Sequence, residues 1–383
     1  MAEPGWSSAI EMSRLSPIGF MPAGIPEIEP LPFSLDEMLQ VLAGRNGSDL
    51  HLTMGLPPMG RIDGALVPLA EERLDHLQTR ALTYEALSDE QIAQYERTHE
   101  LDCSYSVKNV GRFRLNVYRQ RDAVGSAFRA IPNKVPTLED LRLPACVAEV
   151  GRKAAGLVLV TGPTGSGKST TLAAIVDLIN TARACHVMTL EDPIEYLHLH
   201  KRSMINQREI GTDTSSFQNG LRAVLREDPD VVLVGEMRDL DTIQTAITLA
   251  ETGHLVLASL HTRDASQAID RIVDVFPSHQ QQQIRIQLSS AVELILAQQL
   301  LPRAGSGRIV ACEVMFANAA VRNLIREGKT HQLLTVIETS GNIGMVSMDK
   351  SLARLVRQGL ISADNALTRC TDADNFSRLL KSV

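Results

Sequence analysis

Apolar and polar positions along the chain change texture near residue 132. In "FSLDEMLQVLAG", Leu35, Met38, Leu39 and Leu42 recur at helical spacing, and Ser34 stands where a helix cap is needed. "DLHLTMG" then alternates as a half-buried strand does, with Pro57-Pro58 and Asp63-Gly64 marking turns between further short strands. Helical patterns over 72–87 and 88–98 come next. "LDCSYSV", "GRFRLNVYRQ" and "AVGSAFRAI" follow as three antiparallel strands. Together these predict a small α+β domain over 33–132. The proline-punctuated "PNKVPTLEDLRLP" predicts a linker at 133–144.

From Gly156 onward, short continuous apolar runs alternate with helical patterns. The runs Leu157–Val160, His186–Leu190, Val231–Val234 and Leu255–Leu260 read as buried strands of a parallel sheet, which predicts an α/β core over 145–316. The remaining stretch, 317–383, reads as helical only, with helices at 317–327, 331–338, 347–358 and 362–369. Residues 1–32, rich in Pro, Gly and Ser and without periodicity, read as a flexible extension.

Composition narrows the classes. A chain of 383 residues is better divided into two cores than packed around one. Its net charge of −7 and 4% aromatic content argue against nucleic acid as the default partner. The five cysteines are scattered without a CxxC pair, so neither a zinc cage nor a disulfide framework is expected. No run approaches the roughly 20 apolar residues of a membrane span, and the start has no signal-peptide pattern. Any membrane work is expected through a partner.

The strongest chemical signal is "GPTGSGKST", Gly162 to Thr170, set between a buried strand and an apolar helix. It is a phosphate loop in its proper context. Gly162, Gly165 and Gly167 let backbone N–H groups turn toward a phosphate, flanked by Pro163, Thr164, Ser166 and Thr170. Lys168 can reach the β- and γ-phosphates of ATP, and the Ser169 hydroxyl can ligate Mg²⁺.

Hydrolysis also needs carboxylates for water and metal. Glu191 in "VMTLEDPIEY" and Glu236 in "VVLVGEMRD" both stand at the carboxyl ends of expected strands, the edge where such sheets bind ligands. Asp192 and Glu195 can instead brace the turn. "ETGHLVLASLHT" puts His261 at the same edge, where it can sense a γ-phosphate, and His254 at the opposite end, where packing or a subunit contact is expected. Arg112, Arg114 and Arg129 alternate with apolar residues and share one face of the meander. That face can be merely solvated or can contact phosphate. The stacking aromatics of a nucleic-acid platform are missing from it, because Phe113 and Phe128 fall on core positions.

These boxes together closely resemble the secretion and pilus motor ATPases, and within that superfamily the type IV pilus retraction ATPases, over roughly residues 33–370. The matching elements are "GPTGSGKST", "TLEDPIEY", "VVLVGEMRD" and the histidine stretch, with "GSDLHL" and "RFRLNVYRQ" in the first domain. The resemblance implies a RecA-like core, a PAS-like N-terminal domain and a homohexameric ring. It implies Glu191 as general base, Glu236 as the acid serving Mg²⁺, and Arg114 and Arg129 as nucleotide contacts. "AVRNLIREGK" is similar to the helix motif associated with retraction, so Arg322, Asn323, Leu324, Ile325, Arg326 and Glu327 are expected to include a partner face. The implied setting is the cytoplasmic side of the inner membrane, against a platform protein and with a paralogous ATPase as a further partner. The rival readings are the accessory retraction paralogue, a nucleic-acid-dependent RecA-like motor, and a scaffold that binds ATP without turnover.

Overall fold

The computed structural model describes residues 30–132 and 134–381. Most of the extension expected over 1–32 therefore lies outside the described residues. Helix α1 (Leu35–Gly44) opens on Ser34 with a reciprocal capping box to Glu37, and it buries Leu35, Met38, Leu39 and Leu42. The strands β1 (Asp49–Leu52), β2 (Met59–Ile62) and β3 (Ala65–Pro68) precede α2 (His76–Tyr84) and α3 (Asp89–Thr98), capped by Asp75 and Ser88. The meander β4 (Glu100–Val107), β5 (Gly111–Gln120) and β6 (Ala123–Ala130) completes an antiparallel sheet of order β3-β2-β1-β6-β5-β4. Along β5, Phe113, Leu115 and Val117 point into the core, and Arg112, Arg114 and Asn116 turn to the other face.

The second sheet is assembled from β7 (Gly156–Thr161), α4 (Lys168–Ala182), β8 (His186–Glu191), β9 (Met204–Glu209), α5 (Phe217–Val224), β10 (Val231–Val234), α6 (Leu240–Glu251), β11 (Leu255–Leu260), α7 (Ala265–Asp274), α8 (Ser278–Ala291), β12 (Val292–Pro302) and β13 (Arg308–Phe316). Its order is β13-β12-β7-β11-β10-β8-β9, parallel throughout except for the β12–β13 hairpin. Apolar clusters cover both faces, which is why β7, β10 and β11 are apolar at nearly every position.

The chain beyond Phe316 is helical among the described residues except where Val346 bridges to Val314. It contains α9 (Ala319–Glu327), α10 (Leu333–Thr339), α11 (Met348–Arg357), α12 (Ala363–Leu367) and α13 (Ala373–Lys381). Residues of α9 and α10 join the cluster under α6, α7 and α8, whereas α11, α12 and α13 pack on Leu301, Ile309 and Ala311 of the hairpin. The first C-terminal helices thus extend a core of the second sheet, whereas α11, α12 and α13 form a separate cluster seated on the hairpin. Among the described residues, no helix is long and apolar enough to cross a membrane.

Candidate functional site

The parallel register brings the carboxyl ends of four strands to one edge. Thr161 of β7 pairs with Leu260 of β11, and Val234 of β10 pairs with both Ala258 and Leu190. Beyond Thr161 the chain must bend sharply into α4. Gly162 makes that bend at φ 145°, where an added Cβ would lie 2.4 Å from the Gln298 carbonyl and 2.5 Å from Ser166 Oγ. Gly167, at φ 91°, caps α4. Lys168 is therefore the first helical residue, and its ammonium donates to the carbonyls of Gly162 (3.0 Å) and Pro163 (3.2 Å). Burial lowers its pKa, and the charges of Glu236 and Glu195 work against that shift.

A cavity of about 370 Å³ opens over this loop. Lys168, Ser169, Glu191, Glu236, His261 and Arg114 all line it, although they come from five separate stretches of sequence. Thr164 and Gly165 belong to its wall. Gly167, Thr170 and Ser166 face a neighbouring cavity of about 540 Å³ on the other side of the loop.

The two glutamates sit in opposite environments. Glu191 accepts hydrogen bonds from Thr189 Oγ1 (2.7 Å) and Gln207 Nε2 (3.2 Å). Burial dominates there and pushes its pKa up, because no cation faces it closely enough to offset the loss of water. Glu236 also meets a burial penalty, but Arg238 (2.7 Å) and His261 (3.1 Å) hold its two oxygens, and the net effect is a lowered pKa. The two environments thus favour the protonated form of Glu191 and the charged form of Glu236. The glycine ahead of Glu236 has a geometric reason as well. Gly235 N–H donates to Leu190 O, and a Cβ on Gly235 would lie 3.2 Å from that oxygen and 3.4 Å from Glu191 Cα. Any side chain there would press on the Leu190 carbonyl and push the two acid-bearing strand ends apart by a few tenths of an ångström.

The arginines separate. Arg114 reaches the cavity with an outer contact to Asp102 at 3.8 Å. Arg129, its cross-strand neighbour, is not among the residues lining the cavity; it pairs with Asp49 at 2.9 Å. Arg112 crosses to the second sheet and bonds Glu209. His254 sits at the far end of β11, against the Leu249 carbonyl.

Several groups that sequence reasoning passed over belong here. Arg238 lies two residues past Glu236, within a stretch already singled out. Gln207 and Glu209 are on β9, an edge strand whose polar alternation gives little signal. Arg142, Leu300, Arg303 and Arg308 line the neighbouring cavity beside the phosphate loop, and only the β12–β13 hairpin brings the last three there.

The family model for type II/IV secretion system proteins matches residues 142–367. The chain belongs to that family. It is 46% identical over 342 residues to the type IV pilus retraction ATPase PilT of Pseudomonas aeruginosa, covering 89% of this chain and 99% of that one. The type IV pilus ATPase PilU of the same organism is 37% identical, with 90% and 91% covered. A crystal structure of the pilus retraction motor PilT with bound ADP superposes at a TM-score of 0.85, with 45% identity over 90% of this chain and 99% of that one.

Within this family member, the residues of the helix expected to present a partner face divide between the core and the surface. Val321 and Ile325 are buried, as their spacing implies. Arg322, however, turns inward. Its guanidinium donates to the carbonyls of Ser289 (2.8 Å) and Ser290 (2.7 Å) at the end of α8 and to Glu293 (2.5 Å). Those carbonyls lack helical partners, so a cation there is bound by the molecule itself. Asn323 bonds Glu327 across one turn, Leu324 is half-buried against the core, and Arg326 is exposed.

Proposed function

We propose that the chain is a motor ATPase that couples ATP hydrolysis to retraction of type IV pili, working as a ring of six copies. The observation that carries this reading is the meeting of Lys168, Ser169, Glu191 and Glu236 in one cavity, in a chain so similar to PilT over nearly all its length. The core over 145–316 is read as RecA-like, the region 33–132 as a PAS-like domain, 133–144 as the linker, and 317–383 as a helical region.

The donor set suits a hard cation: a hydroxyl from Ser169 and a carboxylate on Glu236 that stays ionised. With Arg238 and His261 each on one oxygen of Glu236, that carboxylate would serve Mg²⁺ through water. An ion held there would supply charge neutralisation on the β- and γ-phosphates. Lys168 leaves the loop carbonyls for those phosphates. Glu191 accepts the proton of the attacking water as the new bond to the γ-phosphorus forms; the bond to the bridging oxygen breaks, and ADP and phosphate leave. Arg114, and Arg129 once freed from Asp49, add positive charge from the N-terminal sheet, and His261 reports the γ-phosphate to Glu236.

The motor acts at the cytoplasmic face of the inner membrane through a platform protein. A strain lacking this chain tests the reading: it should be hyperpiliated and non-retracting, and Lys168→Ala should not restore retraction. Normal retraction in the deletion strain would overturn the proposal, and strong stimulation of the ATPase by single-stranded DNA would favour a nucleic-acid motor.

A further inference from the structure

Glu209 ends β9 in direct register with Glu191 on β8, yet it does not line the cavity. It is 2% exposed, and a carboxylate that deep must be fully partnered. Its shorter contacts come from two places, with Thr212 Oγ1 a longer third donor to Oε1 at 3.5 Å. The Ile194 N–H, in the loop that follows Glu191, donates to Oε2 at 3.1 Å. From the N-terminal sheet, Arg112 Nη2 donates to the same oxygen at 2.9 Å and Ser104 Oγ donates to Oε1 at 2.8 Å. Ser104 and Arg112 are themselves joined at 2.5 Å.

The placement of these partners matters more than their number. Arg112 and Arg114 lie on one face of β5, two residues apart, so whatever fixes Arg112 also fixes where Arg114 meets the cavity. Ile194 lies three residues beyond Glu191, so whatever fixes Ile194 restrains the loop that carries the acid. A single buried carboxylate therefore joins the loop of the acid to the strand of the arginine.

We propose that Glu209 is a positioning residue for hydrolysis, which sets Glu191 and Arg114 relative to each other through Ile194 and Arg112. This rests on the reading of Glu191 as the base. When the N-terminal sheet is docked on β9, both catalytic groups are held in one frame. When Arg112 withdraws, Glu209 loses its one partner cation among the described residues, and the Ile194 N–H is left on a buried carboxylate without a counter-charge, so the site is competent only in the docked arrangement.

The test uses the full chain, with kcat and KM for ATP and the equilibrium affinity for a fluorescent ADP analogue. Glu209→Gln keeps the size of the side chain but removes the charge that holds Arg112, and its NH2 faces either the Arg112 and Ile194 donors together or Ser104 Oγ. It should lower kcat by roughly 10- to 100-fold while ADP affinity stays within about threefold. In an Arg114→Ala background the same change should cost much less, since the group it positions is gone. Arg112→Ala, in the other sheet, should reproduce the selective loss of kcat and decides the matter if Glu209→Gln does not fold. Wild-type kcat in both variants, or additive losses with Arg114→Ala, would overturn the proposal. Glu191→Gln separates the two ideas. If it retains turnover, the base reading falls and this proposal with it; if it is inactive while Glu209→Gln and Arg112→Ala are normal, only the positioning role is lost.

Discussion

His261 Nε2 lies 3.1 Å from Glu236 Oε1, and Arg238 holds the other oxygen of the same carboxylate at 2.7 Å. Glu236 is thus fixed by two neighbours that favour its charged form, one from the next strand and one from its own loop. An acid so held can order water around a cation, but it is a poor proton acceptor. The proposed assignment of metal and proton to different glutamates rests on the contrast between this site and that of Glu191.

Glu236→Gln keeps the shape of the side chain and removes the charge proposed to serve Mg²⁺. Nucleotide affinity measured with and without Mg²⁺ should differ strongly in the wild type, and the difference should shrink by roughly 10- to 100-fold in the variant. Unchanged Mg²⁺ dependence would show that Glu236 does not serve the ion.

Glu191→Gln should leave ADP binding intact and slow hydrolysis by roughly 10²- to 10⁴-fold, the range expected for loss of a general base. The pH profile adds a signature. Burial raises the pKa of Glu191, so its basic form is lost as pH falls through a value above the ordinary carboxylate range. The acid limb of kcat should sit correspondingly high in the wild type and be absent from the residual rate of the variant.

The parts of the fold that read clearly in the sequence are those where local pattern and burial agree. Val231–Val234 is buried at every position, and Ser34 caps α1 through the predicted hydroxyl. Glu191 and Glu236 could be placed at one edge because parallel strands put their carboxyl ends together. β9 escaped notice because an edge strand reading "MINQRE" alternates weakly, and β12 because it follows α8 without a turn. The partners of Arg322 were not legible for a different reason. Its helical position gives it an outward direction, and nothing in its own segment reveals that the end of α8 lies within reach.

Glu313 offers a stability test away from the cavity. It is 4% exposed, accepts a hydrogen bond from the Ala265 N–H at the start of α7, and is pushed up to about 7 by burial, with Asp264 and Asp349 adding to the effect against the backbone donors of Ala265 and Met348. A carboxyl whose folded pKa is raised binds its proton more tightly folded than unfolded. Its contribution therefore falls as pH rises from the usual value of 4.5 to about 7. Glu313→Gln removes that dependence. Unfolding free energies at pH 5 and pH 8 should show the variant gaining on the wild type at the higher pH, by on the order of 3 kcal/mol at most. An equal difference at both pH values would place the titration elsewhere.

Arg322 and Arg326 occupy one helix but should fail in different ways. Arg322→Ala leaves the Ser289 and Ser290 carbonyls uncapped and Glu293 with Lys153 as its remaining cation, so it should destabilise the fold by about 1–3 kcal/mol. Arg326 is exposed, and Arg326→Ala should stay within about 0.5 kcal/mol of the wild type. If α9 presents a face to the pilus machinery, Arg326→Ala should retain ATPase activity and stability yet lose twitching in cells. Loss of twitching in Arg322→Ala alone, tracking its lowered stability, would mean that the motif serves the core and that the partner surface lies elsewhere. The pair of variants thus separates a helix kept for docking from one kept for packing, which the sequence of α9 alone does not distinguish.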